Sequence, residues 1–356
     1  MAGPESKLPQ GAAHRGAGGN PPNRFERLVL ERDGDWNPEE EPLVRTQFYR
    51  DQTEGILSHN DSPDVGFDVS INPYRGCEHG CIYCYARPTH EFLGFSAGLD
   101  FESKIMVKER AAELLRAELE SPKWRPQVIA ISGVTDCYQP VERRLQITRQ
   151  CLAVLAEFRN PVGIVTKNQL VTRDVDLLGE LARHQAAVVY VSVTTLDTEL
   201  RNRLEPRTTP PAGRLAAIRA LADAGIPTGV LVAPMIPGLN DHEAPAILAA
   251  AAAAGAQFAS FVMLRLPLGV APLFEGWLER HYPDRKEKVL NGIRARRGGK
   301  LNAATFGARM RGEGVQAEQF AQLFRVARQR AGLAESGPEL STAAFRRPGG
   351  TQLAWF

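Results

Sequence analysis

Three of the chain's five cysteines, Cys77, Cys81 and Cys84, fall within the stretch GCEHGCIYCYA at residues 76–86. Thiols gathered in one short loop are donors for a soft metal, and their number narrows the choice. A structural zinc ion takes four protein ligands, commonly from paired C-x2-C knuckles. Here the spacing is C-x3-C-x2-C and a second knuckle is missing. Cys137 or Cys151 could supply a distant fourth thiolate, but Cys151 lies in the helical pattern ITRQCLAVLAEF, where a small core residue is expected. Iron–sulfur cubes are held by thiolates, usually four, so three would leave one iron open to an outside ligand. The pattern therefore admits three kinds of protein: an enzyme with a reactive cluster, a non-catalytic iron–sulfur redox sensor or electron carrier, and a zinc-stabilised binding domain.

The rest of the chain must position those thiols. Its 356 residues are 43% hydrophobic, enough for one large core with extensions or for two smaller ones. No apolar run reaches the roughly 18 residues of a membrane span, and the N-terminus lacks the apolar region of a secretory signal. Five cysteines are an odd number for a disulfide framework, which points to the reducing cytoplasm. A net charge of +2 selects no partner, so any nucleic-acid reading rests on local charge.

Residues 1–40, rich in Gly, Pro and Asn, read as a mostly flexible leader able to dock on the body, and 41–68 as a lead-in. From residue 69 to 283, β-branched runs alternate with helical ones. The strand candidates are DVSINPY, QVIAISG, PVGIVTK, AVVYVSVTT, IPTGVLVAP and FASFVMLRL, separated by helix-length segments such as KERAAELLRAELE and AGRLAAIRALADAG. Six strands with crossover helices imply an α/β fold with a parallel sheet, as an open or partial (β/α)6 TIM-like barrel whose functional groups lie at the C-terminal strand ends. Residues 284–356 read as a C-terminal extension packing on the barrel. It opens with RKEKVLNGIRARRGGK, seven Lys or Arg against one Glu, either a solvated helix or a surface that meets phosphates.

With Tyr83 immediately before its last cysteine and a strand before its first, the motif resembles the signature of the radical S-adenosylmethionine (SAM) superfamily. That resemblance implies a [4Fe–4S] cluster on Cys77, Cys81 and Cys84 whose open iron chelates the amino and carboxylate groups of SAM. Reduction of the sulfonium then gives methionine and a 5′-deoxyadenosyl radical. It also implies a partial (β/α)6 barrel and a reducing partner such as flavodoxin or ferredoxin. NPYRGCEHGCIYCYARPTHEFLGFSAGLDFESKI and the leader RGAGGNPPNRFE are similar to a bacterial set within the spore photoproduct lyase-like branch.

Carried over residue by residue, the resemblance places Thr135 and Asp136 at the SAM amino group, and Lys167 and Ser192 at its carboxylate or ribose. Ala233 would bring backbone groups to the adenine, and Tyr83 would contact it. The hydrogen-donating cysteine of the lyases falls on Gly133, so dimer repair is not implied. Cys137, beside Tyr138, is the alternative hydrogen donor. Glu205 and Arg207 are read as a rigidifying ion pair or a SAM contact, Glu78 and His79 as solvated or packed behind the ligands, and His90 as a turn-stabilising residue. A nucleic-acid substrate is the narrower expectation.

Overall fold

Short β-branched runs joined by amphipathic helices can bury both faces of their strands only as a parallel sheet wrapped by helices. The computed structural model, which describes residues 14–26 and 44–348, takes this form. Its strands are β1 (Gln47–Arg50), β2 (Leu57–His59), β3 (Val69–Ile71), β4 (Tyr74–Arg75), β5 (Lys104–Val107), β6 (Ile129–Ile131), β7 (Val162–Thr166), β8 (Ala187–Ser192), β9 (Thr228–Met235) and β10 (Phe258–Met263). Strands β3, β6, β7, β8, β9 and β10 pair in parallel in that order, and β2 adds antiparallel to β3 at the edge. This is the six-stranded partial barrel expected, each strand lying inside its anticipated segment except β9, which runs one residue further to Met235. A small separate sheet, ordered β1-β5-β4, stands beside it.

Residues alternating along the strands fill the core, among them Ile71, Ile131, Ile164, Val189 and Val230, all buried. Each such side chain contributes about 1.5–3 kcal/mol relative to exposure. Helices Ala111–Glu120, Ile147–Phe158, Val175–Ala182, Pro211–Asp223 and Ala244–Ala253 cover the outside. None among the described residues is long and apolar enough to cross a membrane.

The described C-terminal segment covers the free edge of this open barrel. Helix Val315–Arg330 packs Phe320 and Phe324 on Phe261, with ring centroids 5.1 and 4.7 Å apart. Ala334 then bridges to Phe258 on the free edge of β10. Beyond it the chain crosses the N-terminal ends of the strands: the N–H of Ser341 donates to Gln185, that of Arg346 to Phe158, and Arg347 to the carbonyls of Leu119, Ser121 and Trp124.

Only part of the basic stretch bonds internally, and Arg285, Lys288 and Lys300 stay exposed. Arg297 is buried on the carbonyls of Met263, Leu264 and Arg309, Arg296 bonds Gly292 and Gln316, and Lys286 pairs with Glu279. Arg309 in turn pairs with Asp64 of the loop before β3, joining the two edges of the barrel. The apolar end TQLAWF lies outside the described residues.

Residues 14–26 of the leader lie against the cysteine loop. Glu102, fully buried, accepts the N–H groups of Gly16 (3.0 Å) and Ala17 (2.8 Å) and pairs with the equally buried Arg87. Removing one partner of such a pair strands the other charge and costs about 3–5 kcal/mol. Glu102→Ala is thus expected to lower unfolding free energy in urea by that amount and to speed tryptic cleavage at Arg15 in the native protein. Unchanged stability and cleavage would show that Glu102 does not fasten the leader.

Candidate cluster and cofactor site

The loop carrying the three cysteines has no ladder to hold it, so its backbone is bonded outward piece by piece. Cys77 N–H donates to Phe101 O (2.9 Å) and Ile82 N–H to Leu204 O (3.1 Å), while Cys84 N–H closes a turn on Cys81 O. Arg87 donates from Nε and Nη2 to Cys81 O (3.0 and 2.9 Å). Gly80 sits at φ +66° and Gly76 at φ +80°, the left-handed region that glycine enters freely. Gly16 also packs so closely on this loop that a Cβ there would fall 1.7 Å from Gly80 O.

Cys77 and Cys81 are buried and Cys84 half-buried. The N–H groups of His79 and Ala86 point at the sulfurs of Cys77 and Cys84. Burial pushes all three thiols up, and for Cys77 the nearby Asp136 carboxylate and the other two thiols add to it. Bound metal is what would keep such thiols ionised. Among the described residues no three His, Cys, Asp or Glu side chains converge on a single metal ion. Three separated thiols on one loop fit a multi-iron cluster, whose thiolates are distributed over different irons.

Facing the loop, the C-terminal ends of β7, β8 and β9 bring Lys167, Ser192 and Ala233 together, the three residues expected there. Lys167 Nζ donates to Ser192 Oγ (2.6 Å), Ala233 O (2.9 Å) and Thr194 Oγ1 (3.1 Å), and lies 3.3 Å from Glu205 Oε1. Its ammonium is 5.8 Å from the centre of the Tyr83 ring. Glu205 is fully buried and accepts from Thr194 Oγ1 (2.6 Å), Tyr83 OH and Arg214. Burial alone would raise its carboxyl; Arg214 and Lys167 override that and hold it far below the usual range. Asp197 accepts the N–H groups of Glu199 and Leu200 and so starts the short helix Thr198–Leu204 that delivers Glu205.

Other expectations are placed differently. Thr135 is turned away, donating to Tyr74 O (2.8 Å). Asp136 accepts from Thr166 Oγ1 and Lys167 N–H (both 2.8 Å) and lies 3.3 Å from His79 Nδ1, so it ties the cysteine loop to β7. Glu78 and His79 are buried, not solvated. Arg207 pairs with Glu78 (3.0 Å), and the partner of Glu205 is Arg214. Cys137 and Tyr138, the catalytic candidates, are wholly buried in the layer between sheet and helices, with Cys137 O accepting from Thr148 and Tyr138 OH donating to Asp174 (3.1 Å). They are core residues there, because the turn after β6 carries them away from the strand ends.

Gly133 has a steric reason: a Cβ would meet Ser70 Cβ at 2.9 Å, so a cysteine would not fit without moving β3. Its carbonyl accepts instead from Tyr85 OH (2.8 Å). Thr194, Arg214 and Tyr85 were not singled out in the sequence. Thr194 had a signal, since it follows Ser192 by two and shares its face of the extended chain. Tyr85 repeats the aromatic of CIYCY, but Arg214 lies in an ordinary helical pattern and had none.

Residues 71–251, half of the chain, match the family model described as Radical SAM superfamily, and the chain belongs to that superfamily. It is therefore an enzyme of the class that uses a [4Fe–4S] cluster and SAM and requires a reductant. Among relatives, uncharacterized protein Rv2578c of Mycobacterium tuberculosis (strain ATCC 25618 / H37Rv) is 39% identical over 246 residues, 65% of this chain and 72% of its own. Uncharacterized protein MJ0683 of Methanocaldococcus jannaschii is 28% identical over 232 residues, 65% of this chain and 83% of its own. Spore photoproduct lyase complexed with dinucleoside spore photoproduct shares the fold with a TM-score of 0.59 at 17% identity, over 81% of each chain.

His90 stands behind the loop, fully buried against Phe95 and Phe101, with both ring nitrogens lacking a hydrogen-bond partner. Burial lowers its pKa from 6.5 to about 4. The folded protein refuses a proton that the unfolded chain accepts, so this contribution to stability is present above pH 6.5 and is lost as pH falls towards 4. The loss is roughly 3 kcal/mol. Unfolding curves of His90→Phe are expected to lack this part of the acid sensitivity, and identical pH slopes in both proteins would contradict the assignment.

Proposed function

We propose that Cys77, Cys81 and Cys84 hold the [4Fe–4S] cluster and that Lys167, Ser192 and Ala233 receive SAM at the adjoining strand ends. The observation that carries this reading is the convergence of those three residues from three strands on one ammonium, beside Tyr83 of the cysteine loop. When bound, the cluster and SAM supply reductive cleavage of the sulfonium and a 5′-deoxyadenosyl radical that abstracts hydrogen from substrate. Lys167 offers the cation for the SAM carboxylate, exchanging neutral hydroxyl and carbonyl partners for a charged one. Glu205, locked by Arg214, keeps the lysine aimed there. Ala233, its own carbonyl held by Lys167, Ser192 and Thr194, brings the neighbouring backbone to the adenine, and the barrel walls keep water from the reacting atoms. Asp136, engaged by His79 and Thr166, serves as a brace of the cysteine loop.

The substrate reading is nucleic acid, acted on in the cytoplasm with electrons from a carrier such as flavodoxin or ferredoxin. Its support is the rim beside Cys84. Tyr85, 47% exposed, lies under the Arg265 guanidinium at 4.9 Å, and Phe306, 53% exposed, under Arg309 at 4.6 Å. Exposed aromatic faces next to guanidinium groups suit stacked bases and their phosphates.

Anaerobic reconstitution with iron and sulfide, followed by dithionite and SAM, should yield 5′-deoxyadenosine from the wild type and none from Cys77→Ala, Cys81→Ala or Cys84→Ala. Cleavage retained in these variants would sink the ligand assignment. Single-stranded oligonucleotides should bind more weakly as salt rises, and Tyr85→Ala combined with Arg265→Ala should weaken them about tenfold, the scale of one lost stacking contact. Absent or salt-insensitive binding would remove nucleic acid as the substrate.

A further inference from the structure

We infer that the surface built from Arg15, Phe48, Arg144 and Arg207 is the docking site of an acidic one-electron carrier protein that reduces the cluster. The inference rests on the ligand assignment proposed above. Glu78 directly follows Cys77 and is almost wholly buried, yet two of its carboxylate's partners, Thr46 and Arg207, lie towards the surface. Its carboxylate accepts from Thr46 Oγ1 (3.0 Å), Arg207 Nη2 (3.0 Å) and Val141 N–H (2.7 Å). Arg207 N–H also donates to His79 O (3.3 Å). Arg15 donates to Val44 O (2.9 Å), Thr46 Oγ1 (3.1 Å) and Glu102 O (2.7 Å), which sets its guanidinium close to that of Arg207. On this side the ligand loop is thus overlain by Arg15, Arg207 and Thr46, just before β1.

Next to them the character of the surface suits a transient partner. Phe48 of β1 is 39% exposed, and the Arg144 guanidinium lies 5.1 Å from its ring centre. Arg143 and Arg144 are exposed and make no ion pair among the described residues. The two acids beneath are already committed, Glu78 to Arg207 and Glu102 to Arg87. Among the described residues an excess of positive charge is left around exposed Phe48.

Electron-transfer encounters bury little area and depend on opposite charge to bring partners together. A carrier seated here would meet the ligand loop at Glu78, the residue next to Cys77. Tyr83, on the same loop, faces the polar group at the strand ends, so docking on the Glu78 side leaves that side open for SAM and substrate.

The test uses the full-length reconstituted enzyme and a reduced bacterial flavodoxin as probe, with cluster bleaching followed by anaerobic stopped-flow and affinity by calorimetry at several salt concentrations. Arg144→Glu should slow bleaching by flavodoxin about tenfold and weaken binding in parallel, and adding Phe48→Ser should deepen both effects. Bleaching by dithionite should stay unchanged in these variants, as should bleaching by flavodoxin in Arg330→Glu, a charge reversal on the distant C-terminal helix. Wild-type rates in the Arg144→Glu, Phe48→Ser pair would overturn the docking site, as would a wild type that dithionite reduces but flavodoxin neither binds nor reduces. A wild type that assembles no cluster at all would overturn the ligand assignment, and the docking site with it.

Discussion

A ligand loop that belongs to no helix or sheet must be held by its side-chain neighbours, and here buried carboxylates hold it from four directions. Glu205 takes Tyr83 and Lys167, Asp136 takes His79 and the N–H of Lys167, Glu78 takes Thr46 and Arg207, and Glu102 takes Arg87 and the leader. An uncompensated carboxylate in such an interior would cost several kcal/mol, so each position demands its partner. The geometry of the three thiols is in this sense a by-product of charge pairing around them. It also explains why the loop reaches the leader, β1, the turn after β6 and the helix after β8 at once.

Glu205 stands apart because its partners lie on both sides of the site. Arg214 comes from helix Pro211–Asp223, Tyr83 from the cysteine loop and Lys167 from the end of β7. Two cations against one carboxylate leave a single positive charge, carried by Lys167 at the mouth of the barrel. That is the electrostatic demand a carboxylate-bearing cofactor satisfies. The parallel barrel supplies the placement, since Lys167, Ser192 and Ala233 all fall at C-terminal strand ends.

The six strands were legible because each is a short β-branched run between helix-length segments, and 2.0 and 3.6 periodicities survive in a single sequence. Lys167, Ser192 and Ala233 were singled out through the family resemblance, and the counted strands put each near a strand's C-terminal end. Arg214 was not, for a helical arginine pointing inward has the same local pattern as one pointing to solvent. Cys137 and Tyr138 misled for a related reason: their place after a strand is visible in sequence, but the direction of the turn that buries them is not. For the basic stretch 285–300 the solvated reading describes Arg285, Lys288 and Lys300, which are exposed, whereas the burial of Arg297 was not legible because the carbonyls it bonds are distant along the chain.

The central claim is that three thiolates hold a cluster with one iron open to SAM. Electron paramagnetic resonance of the reconstituted, dithionite-reduced protein, recorded anaerobically with and without SAM, tests it most directly. The account predicts a reduced [4Fe–4S] signal whose g values shift when SAM is added, and a weaker response to SAM in Lys167→Ala. A cluster signal indifferent to SAM, or no cluster signal at all, would contradict it.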